Sequence, residues 1–152
     1  MKPSRLLRAA AVVSLLYFLG HTAGIPWTPA KGAEAAAVVE AMRAHRFQVF
    51  GQSRAYWDFY QGFGLAISVH LLVQTVVLWY LGTMVRTDPA RARPLIAIFA
   101  LALAANSILA AVFFFPLPAI FAITITLCLG LAWLSAGRGV TLDESTSPIR
   151  PR

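Results

Sequence analysis

The sequence has one cysteine, Cys128, and only 6 acidic residues in 152. A single sulfur excludes an internal disulfide, a Cys-x-x-Cys redox pair and a thiolate metal cluster, because each requires at least two cysteines. Charge of either sign is scarce, since 12% of the residues are charged, whereas soluble domains carry about 25%. With 59% hydrophobic residues, the chain cannot cover the surface of a small water-soluble domain with polar groups. The composition therefore predicts a membrane protein.

Four apolar runs are each long enough to cross the hydrocarbon core of a bilayer, which takes about 20 helical residues. They cover residues 6–25, 59–85, 95–115 and 117–136. The last two runs need a break between them. Pro116 and Pro118 supply it, because proline lacks the backbone donor and restricts the residue before it. The predicted fold class is all-α: an integral membrane four-helix bundle in which residues 1–140 form one domain.

The lysines and arginines fall unevenly around these spans. Nine of the 13 lie at the amino terminus as far as Arg8, between the second and third spans, or after the fourth, and the other four lie between the first and second. Cytoplasmic segments are enriched in these residues, so both termini are expected in the cytoplasm. Four tryptophans lie near predicted span ends, where indole rings favour the membrane interface: Trp27, Trp57, Trp79 and Trp133.

The first span also has features of a secretory signal peptide. Basic residues precede an apolar stretch at 9–20, and Thr22, Ala23 and Gly24 are small enough for a cleavage site. We expect the helix to be retained, because Ile25 and Pro26 would directly follow the cut and no soluble domain comes after it.

The first loop and the tail are predicted to differ in structure. Residues 33–50 are rich in helix formers, with Val38, Met42 and Phe50 near one face, and predict an amphipathic helix in the first extracytoplasmic loop. This helix is expected to lie flat on the outer surface, either as a packed connector or as a lid over a ligand. Residues 141–152 have too little apolar content to pack and are expected to be disordered.

An acid and a histidine are predicted to meet at the outer surface. The first two spans are antiparallel, so His21 and Thr22 at the end of one approach Asp58 and Gln61 at the start of the other. A carboxylate beside an imidazole is the usual arrangement of a general base or a proton relay, which makes His21 and Asp58 the candidate catalytic residues. The alternative is structural, because Arg54 and Asp58 are spaced i, i+4 and would pair along one helix.

Polar and aromatic residues within or beside the spans are candidate ligand-binding residues, because polar groups are costly in hydrocarbon. They are Trp27, Arg54, Trp57, Tyr60, Gln61, His70, Gln74 and Asn106. By helical spacing, His70 and Gln74 lie opposite the face that carries Asp58 and Gln61. The second span is therefore expected to have protein neighbours on both sides, within one bundle or in a homo-oligomer. A further alternative is proton or ion conduction, if Asp58, Gln61, His70 and Asn106 line one wet path.

No metal, cofactor or nucleic acid is expected. Haem ligands on different helices should lie at matched depth, whereas His21 is near the outer surface and His70 near the middle of a span. Zinc would need a third clustered ligand. The net charge of +7 comes from residues beside apolar runs, so the expected counter-charge is the lipid bilayer with its anionic head groups rather than nucleic acid.

Three segments resemble those of a known group of proteins. They are Gly-His-Thr-Ala-Gly-Ile-Pro-Trp-Thr-Pro at 20–29, Ser-Arg-Ala-Tyr-Trp-Asp-Phe-Tyr-Gln-Gly-Phe-Gly-Leu at 53–65 and Arg-Thr-Asp-Pro-Ala-Arg-Ala-Arg-Pro-Leu at 86–95. The pattern is similar to that of small bacterial inner-membrane proteins with four helices, loosely DoxX-like. The resemblance implies a bacterial inner-membrane location and a four-helix fold. It transfers no catalytic residue, because that group carries no assigned reaction.

The expected function is binding rather than catalysis. The leading hypothesis is an integral membrane protein that binds a lipid, a hydrophobic small molecule or a membrane partner in an outward-facing cleft roofed by the first loop. The alternative is a membrane-embedded enzyme acting on a lipidic or quinone-like substrate, with His21 and Asp58 as its acid/base pair.

Overall fold

The computed structural model describes residues 2–24 and 30–146, with side chains described as far as residue 137. This part of the chain contains five helices and one two-stranded antiparallel hairpin. In chain order the elements are α1 (Pro3–Gly24), α2 (Ala33–Ala44), β1 (Arg46–Val49), β2 (Gln52–Ala55), α3 (Tyr56–Thr87), α4 (Pro89–Phe113) and α5 (Pro116–Thr146). The predicted all-α class is confirmed.

Four of the helices are long and apolar enough to cross a membrane, namely α1, α3, α4 and α5. Large apolar side chains are exposed along their outer surfaces: Leu101 is 73% exposed, Val112 66% and Leu127 61%. A water-soluble protein rarely exposes apolar area on this scale, whereas lipid chains solvate it without penalty. The pattern is that of helices surrounded by hydrocarbon.

Local sequence signals set the first residues of α4 and α5. Asp88 caps α4, since its side chain accepts a hydrogen bond from the backbone N–H of Arg91 at 3.0 Å, and Pro89 occupies the first helical position. Proline suits that position because the N–H it lacks would have no partner within the helix. α5 begins at Pro116, so the turn between α4 and α5 lies where the two prolines predict it.

The chain divides into two compact units, and each is described separately. Unit 1 comprises Met1–Tyr17 and Val73–Arg152, and unit 2 comprises Phe18–Leu72. The core of unit 1 draws buried residues from α1, α3, α4 and α5. Alanines at several of these positions allow the helix backbones to approach closely, as small residues do in membrane helix bundles. The core residues are Leu6, Leu7, Ala10, Ala11, Leu78, Leu81, Val85, Ala92, Ile96, Leu103, Ile125, Leu129, Ala132 and Ala136.

Unit 2 contains a β-hairpin where the sequence analysis continues the loop helix. α2 ends at Ala44, and β1 pairs with β2 so that Phe47 lies opposite Arg54. The two-residue turn is Phe50 and Gly51, both with positive φ (46° and 77°), which is the backbone twist that two-residue hairpin turns require. The helix predicted over 33–50 is therefore six residues too long. No residue of α2 is buried.

Other predictions fall at or beyond the edges of the described residues. Trp27 and residues 147–152 lie outside them. The backbone of α5 is helical through Thr146, whereas disorder was predicted from residue 141.

Candidate functional site

Asp58 caps the start of α3. Its Oδ2 accepts a hydrogen bond from the backbone N–H of Ala55 at 2.8 Å, and Ala55 is the residue just before the helix begins at Tyr56. An acid at the third helical position that reaches back to this N–H forms half of a capping box, and its charge also complements the helix dipole. Arg54 lies in β2, so the helical i, i+4 pairing predicted for Arg54 and Asp58 is wrong.

His21 meets α3 further along than predicted. Its Nε2 donates to the carbonyl oxygen of Gly64 at 3.0 Å, and Thr22 Oγ1 donates to Ser68 Oγ at 2.9 Å. Gly64 and Ser68 lie about two turns beyond the predicted neighbours, Asp58 and Gln61. Within the described residues, the structure therefore gives the imidazole of His21 and the carboxylate of Asp58 different partners.

A groove of about 360 Å³ runs along one face of the first part of α3. Its lining comes from successive turns of that helix and from the end of the hairpin: Arg54, Asp58, Phe59, Gly62, Phe63 and Ala66. Two phenylalanines and two small residues form an apolar floor, and the arginine and the aspartate supply the only charges along it. A Cβ added at Gly62 would meet no atom within 4 Å, so the space above this glycine is open.

Stacked aromatic rings connect the hairpin to this groove. Phe47 of β1 stacks on Phe59, with ring centres 5.7 Å apart, and also contacts Tyr56 at 4.9 Å. Tyr56 in turn stacks on His45 at 5.3 Å. Aromatic pairs at these distances each contribute roughly 0.5–1.5 kcal/mol beyond the area they bury. The hairpin thus fixes one phenylalanine of the groove floor in place.

The remaining candidate ligand-binding residues have varied surroundings. Trp57 stacks on Tyr60 with ring centres 5.4 Å apart, and the guanidinium of Arg43 lies 4.8 Å from the centre of the Trp57 ring. Gln61 is half-buried, and Asn106 is exposed on the outer face of α4. Trp57 and Tyr60 are therefore held at the start of α3 by their contact with each other and by Arg43.

His70 and Gln74 do not act as a pair. His70 is exposed, and its Nδ1 donates to the backbone carbonyl of Ala66 at 2.8 Å. Gln74 Nε2 donates to Ser14 Oγ at 2.9 Å, and Thr75 Oγ1 donates to the same oxygen at 3.0 Å. Ser14 is fully buried. Ser14 of α1 and Gln74 and Thr75 of α3 thus form a small hydrogen-bonded cluster within unit 1, and Gln74 donates into it.

Two arginines in unit 1 lie over tryptophans in a repeated arrangement. The Cζ of Arg8 lies 3.7 Å from the centre of the Trp79 ring, and that of Arg93 lies 4.6 Å from the centre of the Trp133 ring. Each side chain also passes close to a glycine. A Cβ at Gly82 would lie 3.2 Å from Arg8 Nε.

At the second site the arginine lies even closer to the glycine. A Cβ at Gly137 would lie 2.9 Å from Arg93 Cζ. In both cases an arginine from the start of one helix (α1 or α4) lies against the far end of a partner helix (α3 or α5). From the sequence, these arginines and tryptophans are predicted near span ends, but their pairing is not predicted.

Most of the groove lining was not among the residues predicted from the sequence. Phe59 and Phe63 are spaced i, i+4, and Gly62 lies between them, which is the signal that could have placed an apolar floor on one helix face. Helical spacing alone does not show whether such a face is buried or open, because that depends on which helices pack beside it.

Comparison of the chain with protein-family models, with curated proteins and with solved structures found no match in any of the three. The functional argument therefore depends on the geometry of these sites.

Proposed function

We propose that this protein is a multi-pass membrane protein that binds an anionic amphiphile, such as a fatty acid or another single-chain lipid, in the groove of unit 2. The observation that carries this proposal is the lining of the groove: an apolar floor with Arg54 and Asp58 as its charged residues, of which the aspartate already accepts the Ala55 N–H. Phe59 and Phe63 offer ring faces to an alkyl chain, and Arg54 offers guanidinium donors to a carboxylate or phosphate.

The chemistry of the groove favours binding over reaction. The Arg54 Nη1 donates to the carbonyl of Ser53 at 3.1 Å, which orients the guanidinium and leaves its other N–H groups for a ligand. Asp58 already accepts a hydrogen bond from the Ala55 N–H, so it serves as a helix cap. The alternative function, an enzyme with a His21/Asp58 acid/base pair on a lipidic or quinone-like substrate, has less support, because the two side chains contact different partners.

The proposed location is the bacterial inner membrane, with both termini in the cytoplasm. The distribution of lysine and arginine supports this orientation, and the resemblance to small DoxX-like inner-membrane proteins supports the location. In this orientation the groove and the hairpin face the outer side, and the ligand enters from the outer leaflet.

We also propose that α4 pairs with a second copy of the chain. Asn106 is exposed in the middle of this helix, where its amide would face hydrocarbon in a monomer. Amides in that position commonly hydrogen-bond across helix interfaces. Sedimentation of Asn106→Leu in detergent is expected to show a monomer where the unaltered protein is a dimer. A monomer in both samples would contradict the pairing.

Native mass spectrometry of the full chain with palmitate as the probe tests the binding function. Gly62→Leu fills the open space of the groove, and Gly130→Leu is a matched control on α5, where an added Cβ also meets nothing within 4 Å. We expect the unaltered protein and Gly130→Leu to retain palmitate, Gly62→Leu to lose it, and Arg54→Gln to weaken it on the order of tenfold. Equal retention by Gly62→Leu and Gly130→Leu would overturn the proposal.

A further inference from the structure

A second pocket, in unit 1, is lined by positive charge. It has a volume of about 540 Å³, which is within the range of about 300–1,000 Å³ typical of small-molecule sites. The first turns of α1 and the last turns of α3 supply its lining: Lys2, Ser4, Arg5, Arg8, Gly82 and Arg86. Four of the six lining residues are cations, and none is an acid.

These cations have no carboxylate partner in the described part of the chain. The two ion pairs found there are Arg43 with Glu40 and Arg91 with Asp88, and neither involves the pocket. The first turn of α1 contains no acidic residue. Like charges held together repel one another, so the cluster favours an anion that neutralises it.

One of the cations is fixed before any ligand arrives. Arg8 lies over Trp79 and donates from Nη2 to Thr83 Oγ1 at 3.0 Å, and its stem passes over Gly82. A guanidinium held in this way loses little side-chain freedom on binding, which favours affinity. Lys2, Arg5 and Arg86 are exposed or lie at the pocket edge, where they can close around a bound group.

We propose that Lys2, Arg5, Arg8 and Arg86 form a binding site for a phosphate group. Guanidinium forks match the oxygens of phosphate, and lysine adds a point charge. Basic pockets between membrane helices on the cytoplasmic side are typical sites for phospholipid head groups. Ser4, in the first turn of α1, adds a hydroxyl donor, and the positive end of the helix dipole acts in the same direction. The phosphate comes either from an anionic phospholipid or from a soluble phosphate.

Two arms of one experiment on the full chain in detergent separate these sources. The first arm measures retention of phosphatidylglycerol against phosphatidylcholine by native mass spectrometry. The second measures the shift in melting temperature with millimolar inorganic phosphate. The test variant is Arg5→Gln/Arg86→Gln, which leaves Arg8 and its contacts intact. Its matched control is Lys31→Gln/Arg91→Gln, which removes the same charge outside the pocket.

We expect the unaltered protein and the control to retain phosphatidylglycerol in preference to phosphatidylcholine. In the test variant this preference should fall about tenfold. High salt should weaken retention in the same direction, because it screens exposed charges. A melting shift with inorganic phosphate, absent in the test variant, would assign the site to a soluble phosphate. If test and control variants behave alike in both arms, the proposal is overturned. This outcome is independent of the palmitate groove, which lies in unit 2.

Discussion

The guanidinium of Arg8 lies over the indole of Trp79, with its central carbon 3.7 Å from the ring centre. Gly82, one turn further along α3, leaves the space through which the arginine stem passes. The same relationship recurs between Arg93 and Trp133 of α4 and α5. Each pair holds the end of one helix against the end of another by a cation–π contact. The apolar stem of the arginine packs along the partner helix, and its charge stays near the helix end.

The Arg8–Trp79 contact predicts the effect of changing the indole. Trp79→Leu removes the ring face and keeps an apolar side chain, whereas Trp79→Phe keeps a smaller ring face. We expect Trp79→Leu to lower the free energy of unfolding by about 1 kcal/mol relative to Trp79→Phe. Thermal unfolding in detergent measures the difference, and equal melting temperatures for the two variants would show that the cation–π contact adds nothing.

Ser14 predicts a larger loss of stability than its size implies. Ser14→Ala removes the oxygen that accepts hydrogen bonds from Gln74 and Thr75, at a site with no access to solvent. Taking this acceptor from the partly buried amide of Gln74 costs about 1–3 kcal/mol. The control is Ser135→Ala, because Ser135 donates only to the carbonyl of Leu131 on its own helix. If the two variants unfold at the same temperature, the buried polar group does not hold α1 to α3.

Asp58 predicts different results for a cap and for a catalytic acid. Asp58→Ala removes the acceptor for the Ala55 N–H and should lower stability by about 1 kcal/mol. Asp58→Asn keeps an acceptor oxygen and should lower it less. A catalytic role predicts a different result. Both variants would lose activity equally, and their melting temperatures would stay unchanged. Thermal unfolding followed by circular dichroism, together with an activity assay, distinguishes the capping role from the catalytic role.

The orientation is tested by labelling in intact cells, in a Cys128→Ala background. Ala37→Cys, on α2, should react with a membrane-impermeant maleimide added outside. Ala90→Cys, in the first turn of α4, should react only after the membrane is permeabilised. The reason is the excess of lysine and arginine around the second position. The opposite labelling pattern would show that the chain is inverted.

The sequence predicts the four long helices well because hydropathy accumulates along each run, and a run of apolar residues has few other structures available in a bilayer. The hairpin was missed although its signal is present: Arg46, Phe47, Gln48 and Val49 alternate polar and apolar side chains, as a half-buried strand does. The Phe50-Gly51 turn lacks the Asn-Gly or Asp-Gly pair that usually marks such a hairpin. The helix formers at the start of the loop therefore favoured a helix that was predicted to continue past Ala44 into the hairpin.

The candidate site was less predictable than the fold. His21 and Asp58 lie at the expected ends of their helices, but their partners depend on how far one helix is shifted along the other. A shift of about two turns replaces Asp58 and Gln61 by Gly64 and Ser68 as the neighbours of His21 and Thr22. Helical periodicity does not determine that shift, because it is set by side-chain packing between the helices.

The central claim, that the groove of unit 2 holds an anionic amphiphile, is tested most directly by mapping where such a molecule lies. The full chain in bilayers is irradiated with a photoactivatable palmitate, and the modified residues are found by peptide mass spectrometry. We expect modification concentrated at Phe59, Gly62, Phe63 and Ala66, and lost from these positions in Gly62→Leu but not in Gly130→Leu. Modification spread evenly over the exposed apolar faces of α4 and α5, and unchanged in Gly62→Leu, would contradict the claim.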